Sequence, residues 1–204
     1  MKDSPSTAAI YDFFMSALDL LLINKWRKIL WSCVEGPSVL EAGVGTGLNI
    51  SYYRPELQVT ALDSNHSFLH RASRRAQEKQ VRAKFMLGDI QNLPFADELF
   101  DTAVTTFVFC QVKAPLLGLQ ELYRVLKPGG QLLLLEHVRP HGFGGRFFAA
   151  LAEPFYRLTG EHIARDTERY AANAGFVNVT STPLFTDGVK IIRAVKRTGG
   201  PEIF

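Results

Sequence analysis

The sequence predicts an α/β fold, a largely parallel sheet wrapped by helices, and three observations lead there. Short apolar runs alternate with segments of helical spacing from Ser38 onward, which is how strands joined by crossover helices read. A glycine-rich stretch, Gly43-Val44-Gly45-Thr46-Gly47, directly follows the first apolar run and opens the next helical one. The 204 residues suit one domain with a substantial core rather than separate cofactor and substrate domains.

Ser4-Pro5 reads as a helix cap followed by proline at the first helical position. Ile10, Phe13, Phe14, Ala17, Leu18, Leu21 and Leu22 then continue at helical spacing. A second helical run, Lys25 to Cys33, is ended by Gly36-Pro37, so residues 1–36 form an N-terminal helical segment. Core residues 38–138 hold five expected strands: Ser38 to Ala42, Gln58 to Asp63, Lys84 to Leu87, Thr102 to Phe107 and Gln131 to Glu136. Helices are expected between them near Gly47 to Tyr53, Ser67 to Glu78 and Pro115 to Leu126. Lys127-Pro128-Gly129-Gly130 stops the last of these and turns the chain tightly into the fifth strand. Residues 139–175 read as a helical insert, with helices over Phe143 to Leu158 and Asp166 to Ala174, closed by Gly175. Residues 176–197 hold two further strands, Val177 to Thr182 and Val189 to Val195.

Composition narrows the function classes. A net charge of +3 from 23 basic and 20 acidic residues is too balanced for a whole-surface nucleic-acid binder, so no nucleic-acid partner is expected. Cys33 and Cys110 lie far apart without metal-ligand spacing, which argues against a disulfide scaffold or a zinc ribbon. The acidic residue in Met1-Lys2-Asp3 speaks against a secretory leader. The most apolar stretch, Ile10 to Ile23, is interrupted by Asp12, Ser16 and Asp19 and falls short of the roughly 20 residues a membrane span needs. A cytoplasmic setting is the expectation.

Chemistry concentrates at the expected strand ends. Gly43, Gly45 and Gly47 stand at a strand-to-helix turn, where glycine permits unusual backbone angles and close approach of a ligand. A dinucleotide fingerprint would place its third glycine at position 48, which is Leu48, and a nicotinamide oxidoreductase loses ground accordingly. Asp63 closes the second strand, where a carboxylate can accept both ribose hydroxyl hydrogens of a nucleoside; the structural alternative is a helix cap. Asp89, after the third strand, can receive an exocyclic adenine amine while the next backbone N–H, that of Ile90, meets a ring nitrogen; alternatively it is a turn aspartate.

With these residues in place the chain resembles the class I S-adenosylmethionine-dependent methyltransferases. Glu41-x-Gly43-x-Gly45-x-Gly47 is similar to their first motif, Asp63 to their second acidic position, and Gly88-Asp89 with Asn92-Leu93-Pro94-Phe95 to their third. Phe100-Asp101 through Val112 and Leu126-Lys127-Pro128-Gly129-Gly130 extend the likeness over residues 38–138. The resemblance implies a doubly wound, Rossmann-like sheet of seven strands, mostly parallel with an antiparallel last strand, and S-adenosyl-L-methionine as cofactor. It implies that Glu41 and the glycine loop hold the methionyl part, Asp63 with Ser64 the ribose, and Asp89 with Ile90 the adenine. Thr106 and Phe107 would approach the methionyl amine through their backbone. Within the family the look is of the ubiquinone/menaquinone methyltransferases and, more so, the short bacterial phospholipid N-methyltransferases, on the Gly-Thr-Gly-Leu turn, Tyr52-Tyr53 and Leu135-Glu136-His137-Val138-Arg139.

The acceptor expected from that likeness is lipophilic, foremost a phospholipid amine, with a quinone precursor or small thiol as the same-fold alternatives. A cofactor-binding regulatory protein without turnover is the alternative from another class. Two cysteines are too few to hold a soft metalloid, which disfavours arsenite methylation. Methyl transfer is an in-line displacement that positioning in a dry pocket can largely accelerate, so a base is optional. His137 is the base candidate, or else a strand-end histidine bonded to a loop; Tyr11 can fold over the cleft from the N-terminal helix, or simply pack. The insert interleaves Phe143, Phe147, Phe148, Phe155 and Tyr156 with Arg139, Arg146, Arg157 and Arg165. Such a surface suits peripheral contact with an anionic bilayer, and equally a buried helix face with a basic rim.

Overall fold

Helix α1 (Asn24–Ser32) opens the described chain, which comprises residues 23–138, 165–185 and 188–199 of a computed structural model. The expected helices around Tyr11 and from Phe143 to Leu158 lie outside these residues. After α1 come β1 (Ser38–Ala42), a 3₁₀ segment (Leu48–Tyr52), β2 (Gln58–Asp63), α2 (His66–Glu78), β3 (Lys84–Leu87), β4 (Phe100–Thr106) and α3 (Pro115–Val125). The chain continues through β5 (Leu126–His137), α4 (Thr167–Asn173), β6 (Val177–Phe185) and β7 (Val189–Val195).

The seven strands form one sheet in the order β3-β2-β1-β4-β5-β7-β6. Pairings from β3 through β5 are parallel, and β7 runs antiparallel to both β5 and β6. Strand residues alternate between faces, and both faces are covered. Leu40, Ala103, Leu132 and Leu134 join one core cluster with Leu119 and Leu122 of α3 and Ala171 of α4. Val39, Val104, Leu133 and Leu135 join the other with Leu30 and Trp31 of α1 and Ala72 and Ala76 of α2. Strand order reverses between β1 and β4, and such a switch point opens a crevice at the strands' C-terminal ends.

Local chemistry explains the boundaries. Asn65 caps α2, its side chain accepting from Phe68 N at 3.1 Å, and Asp166 caps α4 in the same way from Arg169 N at 3.2 Å. The helix expected from Gly47 to Tyr53 is instead one 3₁₀ turn, because Gly47 sits in the left-handed region (φ +83) and redirects the chain before an α-helix can form. β4 starts two residues before its expected first residue, at Phe100, and releases Phe107, whose φ of +55 takes it out of the strand. The Lys127-to-Gly130 turn is absorbed into β5 as an irregularity between the Phe100–Leu126 and Thr102–Gln131 pairs. It is fastened to the end of β7: Gly129 N donates to Lys196 O at 3.0 Å, and Lys196 N donates to Gly130 O at 2.9 Å. Both cysteines are free thiols. No helix among the described residues is long and apolar enough to cross a membrane.

Candidate active site

The ends of β1, β2, β3 and β4 surround a cleft of about 600 Å³, a volume typical of small-molecule sites. Gly43, Gly45, Asp63, Ser64, Asp89, Ile90, Thr106 and Phe107 all line it. Gly43 N and Val44 N donate to Leu62 O at 2.7 and 3.0 Å, tying the glycine turn to the end of β2. Gly43 has φ +78, and a β-carbon there would come within 2.3 Å of Val108 Cγ2. Gly45 (φ +56) has nothing within 4 Å of where its β-carbon would stand, which leaves that space to a ligand.

Asp63 is buried at the cleft wall. Its Oδ2 accepts from Gly45 N at 2.7 Å and its Oδ1 from Asn65 N at 2.8 Å. Burial lifts its carboxyl above the ordinary range, against the pull of the Asn65, Gly45 and Ser64 backbone donors. With three backbone donors on its two oxygens, the carboxylate still has accepting capacity to spare for a ligand hydroxyl. Asp89 is exposed and accepts from Gln91 N at 2.8 Å and from Gln91 Nε2 at 3.2 and 3.0 Å. Gln91 in turn accepts from Ala114 N at 2.8 Å, joining the β3 end to the start of α3. Ile90, Leu62 and Phe68 supply apolar wall. A buried carboxylate, an apolar slot and an open glycine cradle fit a nucleoside linked to an amino-acid chain.

Glu41, Gly47 and His137 stand outside that lining. Glu41 is fully buried behind the turn. It accepts from Asn49 Nδ2 at 2.6 Å and from the Tyr53 hydroxyl. Asn49 Nδ2 also donates to Thr106 Oγ1 at 3.0 Å, while Asn49 Oδ1 accepts from Arg27 Nη1 at 2.8 Å. Among the described residues this polar network touches the cleft lining at Thr106, and Glu41 also feels the charge of Asp63. Burial pushes the Glu41 carboxyl up to about 7, against the lowering effects of Tyr53, Asn49 and Arg27. Gly47 packs against Ile50 and Ala72. His137 stacks behind Phe107, ring centroids 4.5 Å apart, and burial brings its imidazole down to about 4. Tyr11 lies outside the described residues.

Several side chains at the cleft lie beyond what the sequence predicts. Asn65, Phe68, Val108, Gln111, Val112 and Lys113 line the cleft; the helix cap signals Asn65, but nothing local singles out the others. Arg27 and Asn49 look like ordinary helix residues, while Tyr53 and Glu136 stand in segments that carry the family likeness but give no sign of the polar contacts they make. Among the described residues, no His, Cys, Asp and Glu group has metal-binding geometry.

A family model described as a methyltransferase domain matches residues 40–134. Phosphatidylethanolamine N-methyltransferase of Cereibacter sphaeroides is 34% identical over 184 residues, covering 89% of each chain. Thiol S-methyltransferase TMT1B of Rattus norvegicus is 34% identical over 148 residues, 70% of this chain, and this chain spans 61% of that protein's length. Demethylmenaquinone methyltransferase of Thermotoga maritima is 30% identical over 168 residues, 78% of this chain and 72% of that one. Among solved structures, an S-adenosylmethionine-dependent methyltransferase from Thermotoga maritima, described as a possible histamine N-methyltransferase, superposes with a TM-score of 0.75. It is 20% identical and covers 95% of this chain and 98% of its own, which shows a shared fold. Strand order, glycine turn, strand-end carboxylates and these likenesses agree: the chain belongs to the class I S-adenosylmethionine-dependent methyltransferases.

Proposed function

We propose that this protein transfers a methyl group from S-adenosyl-L-methionine to a lipophilic acceptor, the amine of a phosphatidylethanolamine-type headgroup. The observation that carries the choice of acceptor is the likeness to the Cereibacter sphaeroides phosphatidylethanolamine N-methyltransferase, which runs over 89% of both chains, whereas the thiol methyltransferase is matched over 61% of its length.

When bound, the cofactor supplies a methyl group on a positively charged sulfur, ready for in-line displacement. Asp63 and Ser64 hold the ribose side, Asp89 and Ile90 the base, and the Gly43-to-Gly45 turn the amino-acid side. An amine attacks only through a free lone pair, so the site must favour its neutral form; apolar walls such as Ile90, Phe68 and Val112 disfavour the ammonium by desolvation. His137, its imidazole lowered by burial to about 4, is neutral near pH 7 and stands behind Phe107, outside the cleft lining. We assign it to backing Phe107, with the amine's proton leaving to water. The segment preceding Asn24, with Tyr11, is assigned to closing the cleft, and the 139–165 insert to contact with an anionic bilayer.

Incubating the protein with labelled cofactor and phosphatidylethanolamine vesicles, beside a thiol panel and a demethylated quinone, tests the reading by mass spectrometry. Label in one or more methyl groups on the lipid amine is the expected result; label confined to thiols or quinone would refute the phospholipid assignment. Sedimentation with anionic and neutral vesicles at low salt tests the membrane contact, and equal, negligible pelleting would refute it.

A further inference from the structure

We propose that Glu136 and Arg165 are positioning residues for methyl transfer, clamping the loop between β4 and α3 from two sides so that its backbone holds one wall of the cleft. The inference rests on the reading of that cleft as the methyl-transfer site. The loop contributes Phe107, Val108, Gln111, Val112 and Lys113 to the lining. It starts in a conformation a phenylalanine rarely adopts, φ +55 at Phe107, and such a residue persists only where its surroundings over-determine it.

Glu136 supplies much of that determination. It is fully buried at the end of β5. A single oxygen, Oε1, accepts from Thr105 Oγ1 at 3.0 Å, Val108 N at 3.0 Å and Phe109 N at 3.3 Å. Its other oxygen, Oε2, is buried and has no hydrogen-bond partner among the described residues. Burying a carboxyl with half of its accepting capacity idle is unfavourable, and the loop's two backbone amides are what it secures in return. At the loop's far end Arg165 Nη1 donates to Val112 O at 2.6 Å. Arg165 also acts electrostatically on Glu136, so the two anchors belong to one charged cluster. Lys190 lies across from Glu136 on β7, its Nζ 3.0 Å from Glu168 Oε1, and His137 follows in the chain.

The clamp matters because the loop leans directly on the glycine turn. Val108 fills the space beside Gly43 where a β-carbon would sit 2.3 Å from Cγ2. A loop displaced by a few tenths of an ångström would therefore move one side of the cleft against the other, and reactions at near-contact distances are sensitive to such misplacement.

The test is amide hydrogen exchange on the full chain, free and with S-adenosylhomocysteine, combined with steady-state kinetics. In Glu136→Ala, exchange at Val108 and Phe109 should rise roughly tenfold, the factor for losing a charge-assisted bond, while the sheet keeps its protection. Glu136→Gln, whose amide oxygen still accepts, should restore most of the protection. Arg165→Met should free the other end, with faster exchange at Gln111, whose N donates to Val108 O at 3.0 Å. On whichever acceptor is methylated, the clamp predicts a fall in kcat that exceeds any rise in the cofactor KM, with kcat recovering in Glu136→Gln. Unaltered loop exchange in Glu136→Ala, or a uniform rise across the whole sheet, would overturn the proposal. Should Glu136→Ala fail to fold, unaltered Gln111 exchange in Arg165→Met overturns it instead. Exchange is read without any acceptor, so a loosened loop in a protein that methylates nothing would count against the functional reading and not against the clamp.

Discussion

A glutamate sealed behind the glycine turn makes a contribution to stability whose pH dependence is opposite to that of an ion-paired carboxylate. Glu41 titrates at about 7 when folded, against 4.5 ordinarily, so the folded chain binds more protons than the unfolded one between those values. Its contribution to stability is therefore greatest below about pH 4.5 and declines as pH rises through 7. One such group accounts for on the order of 1 kcal/mol between about pH 6 and 8. Glu41→Gln should lose that share of the decline in urea unfolding at the two pH values, with Tyr53 turning its hydroxyl to accept from the new amide; an unchanged decline would contradict the buried-carboxyl account. Glu136, also raised to about 7 by burial, adds a second share. His137, lowered from 6.5 to about 4, works the other way: its contribution is complete above 6.5 and is lost as pH falls through 4. Gly43 and Gly45, in a short contiguous motif, and Asp63, at a strand end, were readable from sequence because local backbone geometry fixes where they stand. Arg27, Asn49 and Glu41 come together across 22 and 8 positions of chain. That meeting depends on the 3₁₀ turn, which no local pattern announces.

The glycine turn and the β4–α3 loop behave as one packed unit. Gly43→Ala forces a β-carbon to within 2.3 Å of Val108 Cγ2 at a left-handed backbone position. The overpacking should cost about 1–3 kcal/mol and the backbone a further 1–2 kcal/mol or so. Val108→Ala makes room, so the double variant should recover the packing part and leave only the backbone part. A double-mutant cycle by denaturant unfolding measures the difference; additive effects would mean that the two elements do not bear on each other. Gly45→Ala, with open space around it, should show the backbone part alone. Strand positions were legible because each strand reads as a short run of apolar or β-branched residues between turn signals; β1, β2, β3 and β7 have the boundaries their residues imply. The expected helix at 47–53 and the end of β4 were not, because each turns on a positive φ, at Gly47 and at Phe107. Lys127-Pro128-Gly129-Gly130 reads locally as a tight turn. Only its bonds to Lys196, near the other end of the domain, reveal it as part of β5.

Across the whole molecule, a ligand gripped at the ends of four strands should stabilise the entire sheet. At about 100 times its dissociation constant S-adenosylhomocysteine adds about 2.7 kcal/mol, which for a chain of this size is a rise in Tm of about 5–10 °C. Asp63→Ala should shrink that rise at the same concentration, and a nicotinamide dinucleotide should produce none; an equal rise in Asp63→Ala would remove Asp63 from the ribose role. The same sheet has an order of manufacture. β7 lies between β5 and β6 yet follows both in the chain, and it covers β5 along the whole stretch from Gln131 to His137. As the chain emerges from the ribosome, that edge of β5, with Leu132 to Leu135 among its residues, waits unpaired until Val189 to Val195 have been made. An open apolar edge is a template for pairing with a neighbouring chain. Nascent chains stalled between 138 and 189 should therefore be the form of this protein that depends on chaperones.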